Sequence, residues 1–304
     1  MLINLITIYE MKTIALLVYT LITTSTLVFA QDKTIRGIVF DDTGEPLPYA
    51  MLGIKGKSLG TITNDVGYFT LRIHIDKYVS TDSLIISYLG YHKYAILLDN
   101  LKDSANHFTL ISKPQELAEI RVMPHTSTRK TIGKTNTTGI AQIPFFTTRE
   151  TVDDELGREI GTILKLPKGT CRLVDANIYI ARNPYSSIKL RLMIYSINNQ
   201  GLLHETLLNQ DVPLDLTYQQ TGWNKVDLTP FSLTFDGGTE LAVCFQWIKS
   251  ELPSDLTLKH IWVGIPSTYP SVGHTVIRRE SSQDVWTTIK GTKPSMYLTV
   301  ESRK

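Results

Sequence analysis

Short runs in which apolar and polar residues alternate recur along most of this 304-residue chain. Alternation with a period of two is typical of β-strands that bury one face and expose the other. The clearest example runs from Thr61 to Ile75, where threonine, tyrosine and arginine alternate with isoleucine, phenylalanine and leucine. Because helical periodicity is scarce and tyrosine and threonine are plentiful, the pattern predicts an all-β fold.

A polar turn interrupts this run. The side chains of Asn64 and Asp65 can bond to nearby backbone, and Gly67 can adopt a positive φ without a Cβ clash. We therefore predict a structural turn at Asn64 and Gly67, within a β-hairpin over residues 60–71. A metal held by Asn64 and Asp65 is the alternative, although the stretch offers too few oxygen ligands.

The first 30 residues differ in pattern from the rest of the chain. An apolar run over residues 13–29 follows Met11 and Lys12 and ends at the small residue Ala30, which is typical of a secretory signal peptide. A permanent membrane helix is the alternative, but threonines dilute the run and no basic stop follows it. We predict a signal peptide over residues 1–30, export, and no transmembrane span after cleavage.

Turn-separated strand patterns occupy two further regions. Residues 31–123 predict one β-sandwich, and residues 140–304 predict a second. Residues 124–139 between them are rich in threonine, lysine and glycine, which is typical of a linker. In the second region, Leu190, Leu192 and Ile194 share one face of a predicted strand, and Arg191 lies on the other face.

A family resemblance follows from two segments, IRGIVFDDTGEPLPYAMLGIKGKSLGTITNDVGYFTL (35–71) and DSLIISYLGY (82–91). They resemble the carboxypeptidase-regulatory-like domain, which implies a transthyretin-like sandwich of about seven strands. Such domains are non-catalytic companions of zinc carboxypeptidases and N-terminal extensions of outer-membrane nutrient receptors in Gram-negative bacteria. The resemblance implies a location in the periplasm or at the outer membrane or cell surface.

Two further segments extend the resemblance. LAEIRV, at residues 117–122, is similar to the strand that precedes the plug of those receptors. The segments RLMIY and GWNKVDL resemble, more loosely, a jelly-roll-like C-terminal domain of secreted envelope proteins whose activity is unassigned. We therefore expect a jelly-roll-like sandwich over residues 140–304.

Motifs for catalysis are missing from the sequence. The seven histidines form neither His-x-x-Glu nor His-Glu-x-x-His, and Cys-x-x-Cys does not occur. Residues 56–60, GKSLG, have the Gly-x-Ser-x-Gly spacing, but they lie between two predicted strands and not between a strand and a helix, so they predict a turn and not a nucleophile elbow. A net charge of +2 gives no indication of nucleic acid. We expect no enzymatic activity, no metal and no cofactor. Two alternatives stay open: a hydrolase of unfamiliar design, and a calcium site at residues 153–155 in place of a solvated acidic loop.

Cys171 and Cys244 are the two cysteines of the chain. Export to an oxidising compartment favours a disulfide between them. The alternative is two separate buried thiols, because alternation turns Cys244 away from the face of Val243, Phe245 and Trp247.

Aromatic residues are the remaining candidates for binding. By alternation or by their position next to proline, five of them are candidates for exposure: Trp223, Trp262, Trp286, Tyr185 and Tyr269. Exposed aromatic rings stack on sugars or anchor protein partners. Packing in the core is the alternative for each of them.

The favoured hypothesis is a non-enzymatic, exported cell-envelope protein that acts as a binding or scaffolding module, associated with outer-membrane transport. Its partner would be another envelope protein, met through strand edges or aromatic patches. The alternative is a carbohydrate-binding module that uses the aromatic residues of the C-terminal sandwich. Neither hypothesis involves nucleic acid.

Overall fold

The structure is a computed structural model that describes residues 32–74, 78–114, 127–139, 141–145, 156–198, 200–201, 203–254 and 261–303. The predicted signal peptide, the LAEIRV segment and the acidic loop at 153–155 lie outside the described residues. Within them, regular structure consists of β-strands and two short 3-10 helices, Leu98–Asn100 and Thr229–Phe231. The same part of the chain holds no helix of the length and apolarity needed to cross a membrane.

The N-terminal domain is a sandwich of two sheets. Its strands are β1 (Asp32–Phe40), β2 (Met51–Ile54), β3 (Gly60–Ile62), β4 (Tyr68–His74), β5 (Ser83–Ser87), β6 (Tyr94–Leu97) and β7 (Asn106–Thr109). One sheet has the order β4-β1-β7 and the other β3-β2-β5-β6. Inward residues such as Ile35, Phe69 and Leu84 fill the core between the sheets. The prediction of a seven-stranded sandwich is confirmed for the described residues.

The pairing predicted for residues 60–71 is wrong. β3 pairs with β2, whereas β4 pairs with β1 in the opposite sheet. The chain therefore crosses from one sheet to the other at the turn and does not form a hairpin. Alternation along a strand reports which side chains are buried, but it does not report which neighbouring strand provides the backbone partner.

The C-terminal domain contains the remaining strands. They are β8 (Ser127–Gly133), β9 (Ala141–Phe145), β10 (Glu159–Lys165), β11 (Cys171–Ile180), β12 (Ser187–Ile197), β13 (Leu203–Thr206), β14 (Pro213–Thr217), β15 (Gly222–Asp227), β16 (Thr234–Phe235), β17 (Glu240–Glu251), β18 (Val263–Thr268), β19 (Thr275–Arg279), β20 (Thr287–Lys290), β21 (Lys293–Pro294) and β22 (Met296–Arg303).

Two large antiparallel sheets build this second sandwich. The first sheet has the order β13-β12-β17-β10-β19-β20, with β14 also on β12, and the second has the order β15-β11-β22-β8, with β16 also on β11. A smaller sheet, β21-β18-β9, packs alongside. Leu192, Phe245 and Trp247 from the first sheet share one core with Ile178 and Leu298 from the second. The predicted all-β class with two sandwiches is confirmed.

The linker prediction does not hold over residues 127–133. These residues form β8, which pairs along its whole length with β22, the last strand of the chain. β8 lies at the edge of its sheet and each of its residues is half-buried or exposed, so its sequence lacks the apolar alternation of a buried strand. A polar edge strand has the composition of a linker, which accounts for the error.

Candidate functional site

Three aromatic side chains lie together on the outer side of the second C-terminal sheet. Tyr179 on β11 is the cross-strand neighbour of Trp223 on β15, and Tyr297 comes from β22 on the other side of β11. They point outward because their apolar sequence neighbours, among them Ile178 and Leu298, are buried between the sheets. We call Tyr179, Trp223 and Tyr297 the aromatic face.

The rings of the aromatic face pack edge to face. The ring centroids of Tyr179 and Trp223 are 5.3 Å apart, and those of Trp223 and Tyr297 are 4.8 Å apart. The interplanar angles are 75° and 68°, the T-shaped arrangement that aromatic pairs prefer. All three side chains are half-buried, so each ring is held in place and still reaches solvent.

Polar side chains adjoin the rings on the same outer side of the sheet. Asn177 is the register partner of both Lys225 and Tyr297, and Asp175 lies opposite Thr299. The Asn177 side-chain amide donates to the Asp175 carboxylate. Burial, together with the negative charge of Asp175, raises the pKa of Tyr297. The Tyr297 hydroxyl therefore stays protonated at neutral pH, as a hydrogen-bond donor.

The opposite side of the C-terminal sandwich is covered by the N-terminal domain. Leu89 of the N-terminal domain packs with Met193, Ala242, Cys244 and Ile277 on the outer face of the first C-terminal sheet. The Gly60 backbone also lies close to this domain, since a Cβ added to Gly60 would lie 2.7 Å from Ser281 Cβ. Among the described residues, the sandwich thus has one covered side and one open side.

Buried charged groups cross this contact. Arg191 is fully buried, and its Nε donates to Asp211 Oδ1 at 2.6 Å while Nη2 donates to the backbone oxygen of Tyr49 at 3.0 Å. The guanidinium also lies over the ring of Tyr88, 5.3 Å from its centroid. Tyr49 and Tyr88 belong to the N-terminal domain, so this arginine ties the two domains together.

A second group lies beside the first and is linked to it by Gln246. Glu159 accepts from Arg279 Nη2 at 2.6 Å, from Gln246 Nε2 at 2.8 Å and from the Tyr195 hydroxyl at 2.8 Å. Gln246 in turn accepts from Arg191 Nη1 at 3.3 Å. We call these residues the domain junction: Glu159, Arg191, Tyr195, Asp211, Gln246 and Arg279.

The charges of the domain junction compensate one another. Burial alone would lower the pKa of Arg279, but the carboxylate of Glu159 raises it above its ordinary value. Burial raises the pKa of Tyr195 well above its ordinary value, and the Glu159 charge acts in the same direction. Because Glu159 and Arg191 are closed to solvent, this cluster joins the domains and offers no open surface to a ligand.

Comparison with known proteins assigns the N-terminal domain. Residues 35–122 match the CarboxypepD_reg-like domain family. The N-terminal domain is a CarboxypepD_reg-like domain. Its match ends before β8, and the C-terminal sandwich has no family assignment from this comparison.

A curated relative matches part of the same region. The TonB-dependent receptor SusC of Bacteroides thetaiotaomicron is 41% identical over 63 residues, which is 21% of this chain and 6% of the receptor. The chain therefore covers only a small part of that relative, and the similarity supports the assignment of the N-terminal domain.

Solved structures give only distant similarities. The VP2 subviral particle of infectious bursal disease virus has a TM-score of 0.26 at 10% identity. The match covers 90% of this chain and 72% of the viral chain. The major pilin subunit BcpA of Bacillus cereus has a TM-score of 0.19 at 9% identity, and the match covers 87% of this chain and 69% of the pilin. A carbohydrate-binding module from the β-sandwich superfamily has a TM-score of 0.18 at 11% identity, and the match covers 86% of this chain and 100% of the module. TM-scores this low carry no argument about this protein.

The five aromatic residues singled out from sequence lie in different places. Trp223 belongs to the aromatic face, Trp262 packs on Arg182 at 4.6 Å, and Trp286 packs on Arg279 at 4.5 Å beside the domain junction. Tyr269 is 59% exposed and precedes Pro270 through a cis peptide bond. The structure therefore does not gather these residues into one site.

Exposure of Tyr185 was predicted wrongly. Its side chain is fully buried in the C-terminal core, with its ring 5.1 Å from that of Trp247. A position beside proline in a loop suggests exposure, but here the loop folds over the end of the sandwich and inserts the ring.

Tyr179 and Tyr297 were missed from the sequence. Each stands between two buried apolar residues of its strand, so alternation alone indicates that it points outward. Alternation predicts the outward position of each tyrosine, but it does not predict which outward residues of distant strands lie next to each other.

Of the two alternatives for the cysteines, the structure has the second: Cys171 and Cys244 are separate, buried thiols and the possible disulfide is not formed. Cys171 lies in the core between the C-terminal sheets, and Cys244 lies on the face covered by the CarboxypepD_reg-like domain. Two strands of opposite sheets with side chains on different faces cannot bring the sulfur atoms together. Burial raises the pKa of both thiols, which lowers their reactivity in the folded protein.

Asn64 and Gly67 build the turn of the CarboxypepD_reg-like domain. Asn64 Oδ1 accepts from the backbone amides of Val66 and Tyr68 at 3.1 and 2.9 Å. Gly67 has a φ of 70°, and a Cβ there would meet the Val39 carbonyl at 2.8 Å. Asp65 pairs with Lys249 of the C-terminal domain at 2.9 Å. Within the described residues, no group of three or more histidine, cysteine, aspartate or glutamate side chains is placed to hold a metal.

Proposed function

We propose that the chain is a non-enzymatic, exported protein of the cell envelope that acts as a binding module and works beside outer-membrane transport. The observation that carries the proposal is the aromatic face, which lies on the open side of a sandwich whose other side is closed by a second domain. Fixed, partly exposed aromatic rings are a common means of binding ligands and partners.

The CarboxypepD_reg-like domain supports the envelope location. Its similarity to a TonB-dependent receptor over 63 residues favours a place in the same compartment as such receptors. The edge strand β6 offers a surface for an envelope protein partner, because Leu97 is 44% exposed there and the strand ends its sheet. An exposed strand edge can pair with a strand of another chain.

Cross-linking in intact cells of the source bacterium tests the proposal. The protein is expected in the envelope fraction, cross-linked to an outer-membrane receptor. Leu97→Asp should reduce this cross-link, because it places a charge on the β6 edge. The matched control is Val272→Asp, which introduces the same charge at a residue of the other domain that is 98% exposed.

Two outcomes contradict the proposal. One is recovery of the protein in the cytoplasmic fraction. The other is a cross-linked sample that contains this protein alone, in the envelope fraction of cells that also produce outer-membrane receptors.

A further inference from the structure

We propose that the aromatic face binds a neutral saccharide. This inference rests on the proposed function, since it names the ligand class for the face on which that function depends. It uses two residues, Tyr179 and Tyr297, that come together with Trp223 only in the folded chain.

The rings supply the apolar part of the site. A pyranose ring carries C–H groups on its faces, and these groups pack on the electron-rich face of an aromatic ring. Trp223 contacts both tyrosine rings, at 5.3 and 4.8 Å between centroids, so the indole is held from two sides. Side chains that are already immobile lose little conformational entropy when a ligand binds.

The polar neighbours supply hydrogen bonds for sugar hydroxyl groups. Lys225 is exposed and donates, the Asp175 carboxylate accepts, and Thr299 can do both. Lys225 and Asp175 lie on the adjacent strands β15 and β11, and Thr299 lies opposite Asp175 on β22. Directly opposite residues in such a sheet have Cβ atoms roughly 5 Å apart, which suits neighbouring hydroxyl groups of one sugar.

The balance of charge favours a neutral ligand. Beside the positive charge of Lys225 stand two carboxylates, Asp175 and Asp227, on outward positions of the same two strands. Farther along the face, Arg172 and Arg129 are both ion-paired with Glu301, at 2.5 and 3.1 Å. The cations on this face are thus accompanied by carboxylates, which removes the charge complementarity that a uronic acid or a phosphate would need.

Titration calorimetry on the purified full-length chain tests the inference. The probes are neutral linear hexasaccharides of glucose, xylose, mannose or galactose, together with a hexauronate as the acidic comparator. At least one neutral hexasaccharide is expected to bind, more tightly than the hexauronate. Trp223→Ala and Tyr179→Ala should each weaken that binding about tenfold or more, because each removes a stacking surface.

Two further variants make the test specific. Trp262→Ala removes a half-buried tryptophan of the same domain that packs on Arg182, and binding should stay within about twofold of the unchanged protein. Lys225→Ala alters an exposed side chain and leaves the fold intact, and it should weaken binding about threefold to tenfold. Circular dichroism establishes that each variant is folded.

Several results would overturn the inference. They are no heat of binding for any neutral hexasaccharide at about 1 mM, equal losses in Trp223→Ala and Trp262→Ala, or tighter binding of the hexauronate. A cross-linked protein partner that is lost in Trp223→Ala would assign the face to protein binding instead. The envelope capture that depends on Leu97 is measured separately, so failure of one test does not imply failure of the other.

Discussion

Single buried charges at the domain junction control the stability of the contact between the two domains. Arg191 is the clearest case, because its guanidinium serves Asp211, Gln246 and the Tyr49 backbone at once. A buried ion pair adds little net stability when compared with an apolar replacement of both partners, but loss of one partner leaves the other charge buried and unpaired.

Arg191→Met is therefore expected to lower the free energy of unfolding by about 3–5 kcal/mol. The matched control is Lys189→Met, two residues away on the same side of β12, where the lysine forms a more exposed pair with Asp215 at 2.6 Å. That change should cost less than about 1 kcal/mol. Urea unfolding of both variants measures the difference, and equal costs would contradict the role given to Arg191.

Because of Tyr195, the stability of the protein is expected to depend on pH in the alkaline range. Burial raises its pKa above the ordinary value near 10, so the folded state keeps this proton under conditions in which the unfolded chain releases it. The folded state then binds more protons than the unfolded state, and stability falls as the pH rises above about 10.

Tyr195→Phe should lower stability at pH 8, because the hydroxyl no longer bonds to Glu159, and should make the decline between pH 9 and pH 11 shallower. The slope that one such proton contributes is up to about 1.4 kcal/mol per pH unit. Urea unfolding across this pH range measures it. Tyr218→Phe, at a tyrosine that is 54% exposed, serves as control, and a change of slope as large as that of Tyr195→Phe would contradict the role of burial.

At the scale of single elements, the end of β8 fixes the register of the sheet edge. Gly133 has a φ of 122°, and a Cβ there would lie 2.4 Å from the Met296 carbonyl oxygen and 2.8 Å from Tyr297 Cα. Tyr297 belongs to the aromatic face, so the close approach of β8 to β22 also supports that ring.

Gly133→Ala is expected to destabilise the protein by about 3 kcal/mol, since unfavourable backbone geometry adds to a steric clash. Gly238→Ala is the control, with a φ of 84° and no atom within 4 Å of its added Cβ. The Gly238→Ala change should lower the stability by only about 1 kcal/mol, the cost of the left-handed backbone conformation alone. Thermal unfolding compares the two variants, and equal shifts would argue against crowding at Gly133.

The elements also show what the sequence could predict. Leu190, Leu192 and Ile194 were assigned correctly to one buried face, because local alternation reflects local burial. Burial of Arg191 on the opposite face could not be predicted, since a different domain covers it. For the same reason Tyr179 and Tyr297 could be assigned outward positions but not a common site, because strand pairing joins segments more than 100 residues apart. The local sequence pattern therefore predicts which face of a strand a side chain occupies, whereas contacts between distant segments decide which side chains meet in one site.

At the scale of the whole molecule, the two domains should unfold together. Met51 and Ile62 of the N-terminal domain belong to the hydrophobic core of the C-terminal sandwich, and Gln246 donates to Met51 Sδ at 3.2 Å. Separate unfolding of the N-terminal domain would expose this apolar surface and take the Tyr49 carbonyl and the Tyr88 ring away from Arg191.

Calorimetry is expected to show one cooperative transition for the unchanged protein. Arg191→Met should divide it into two transitions, with the less stable domain melting first, whereas Lys189→Met should keep a single one. Two transitions in the unchanged protein would show that the junction does not couple the domains.

The N-terminal domain and the aromatic face lie on opposite sides of the C-terminal sandwich, separated by two stacked sheets about 10 Å apart. A large partner held by the N-terminal domain would therefore leave the rings accessible. If both proposals hold, partner and saccharide would occupy opposite sides of one molecule, and neither would block the other.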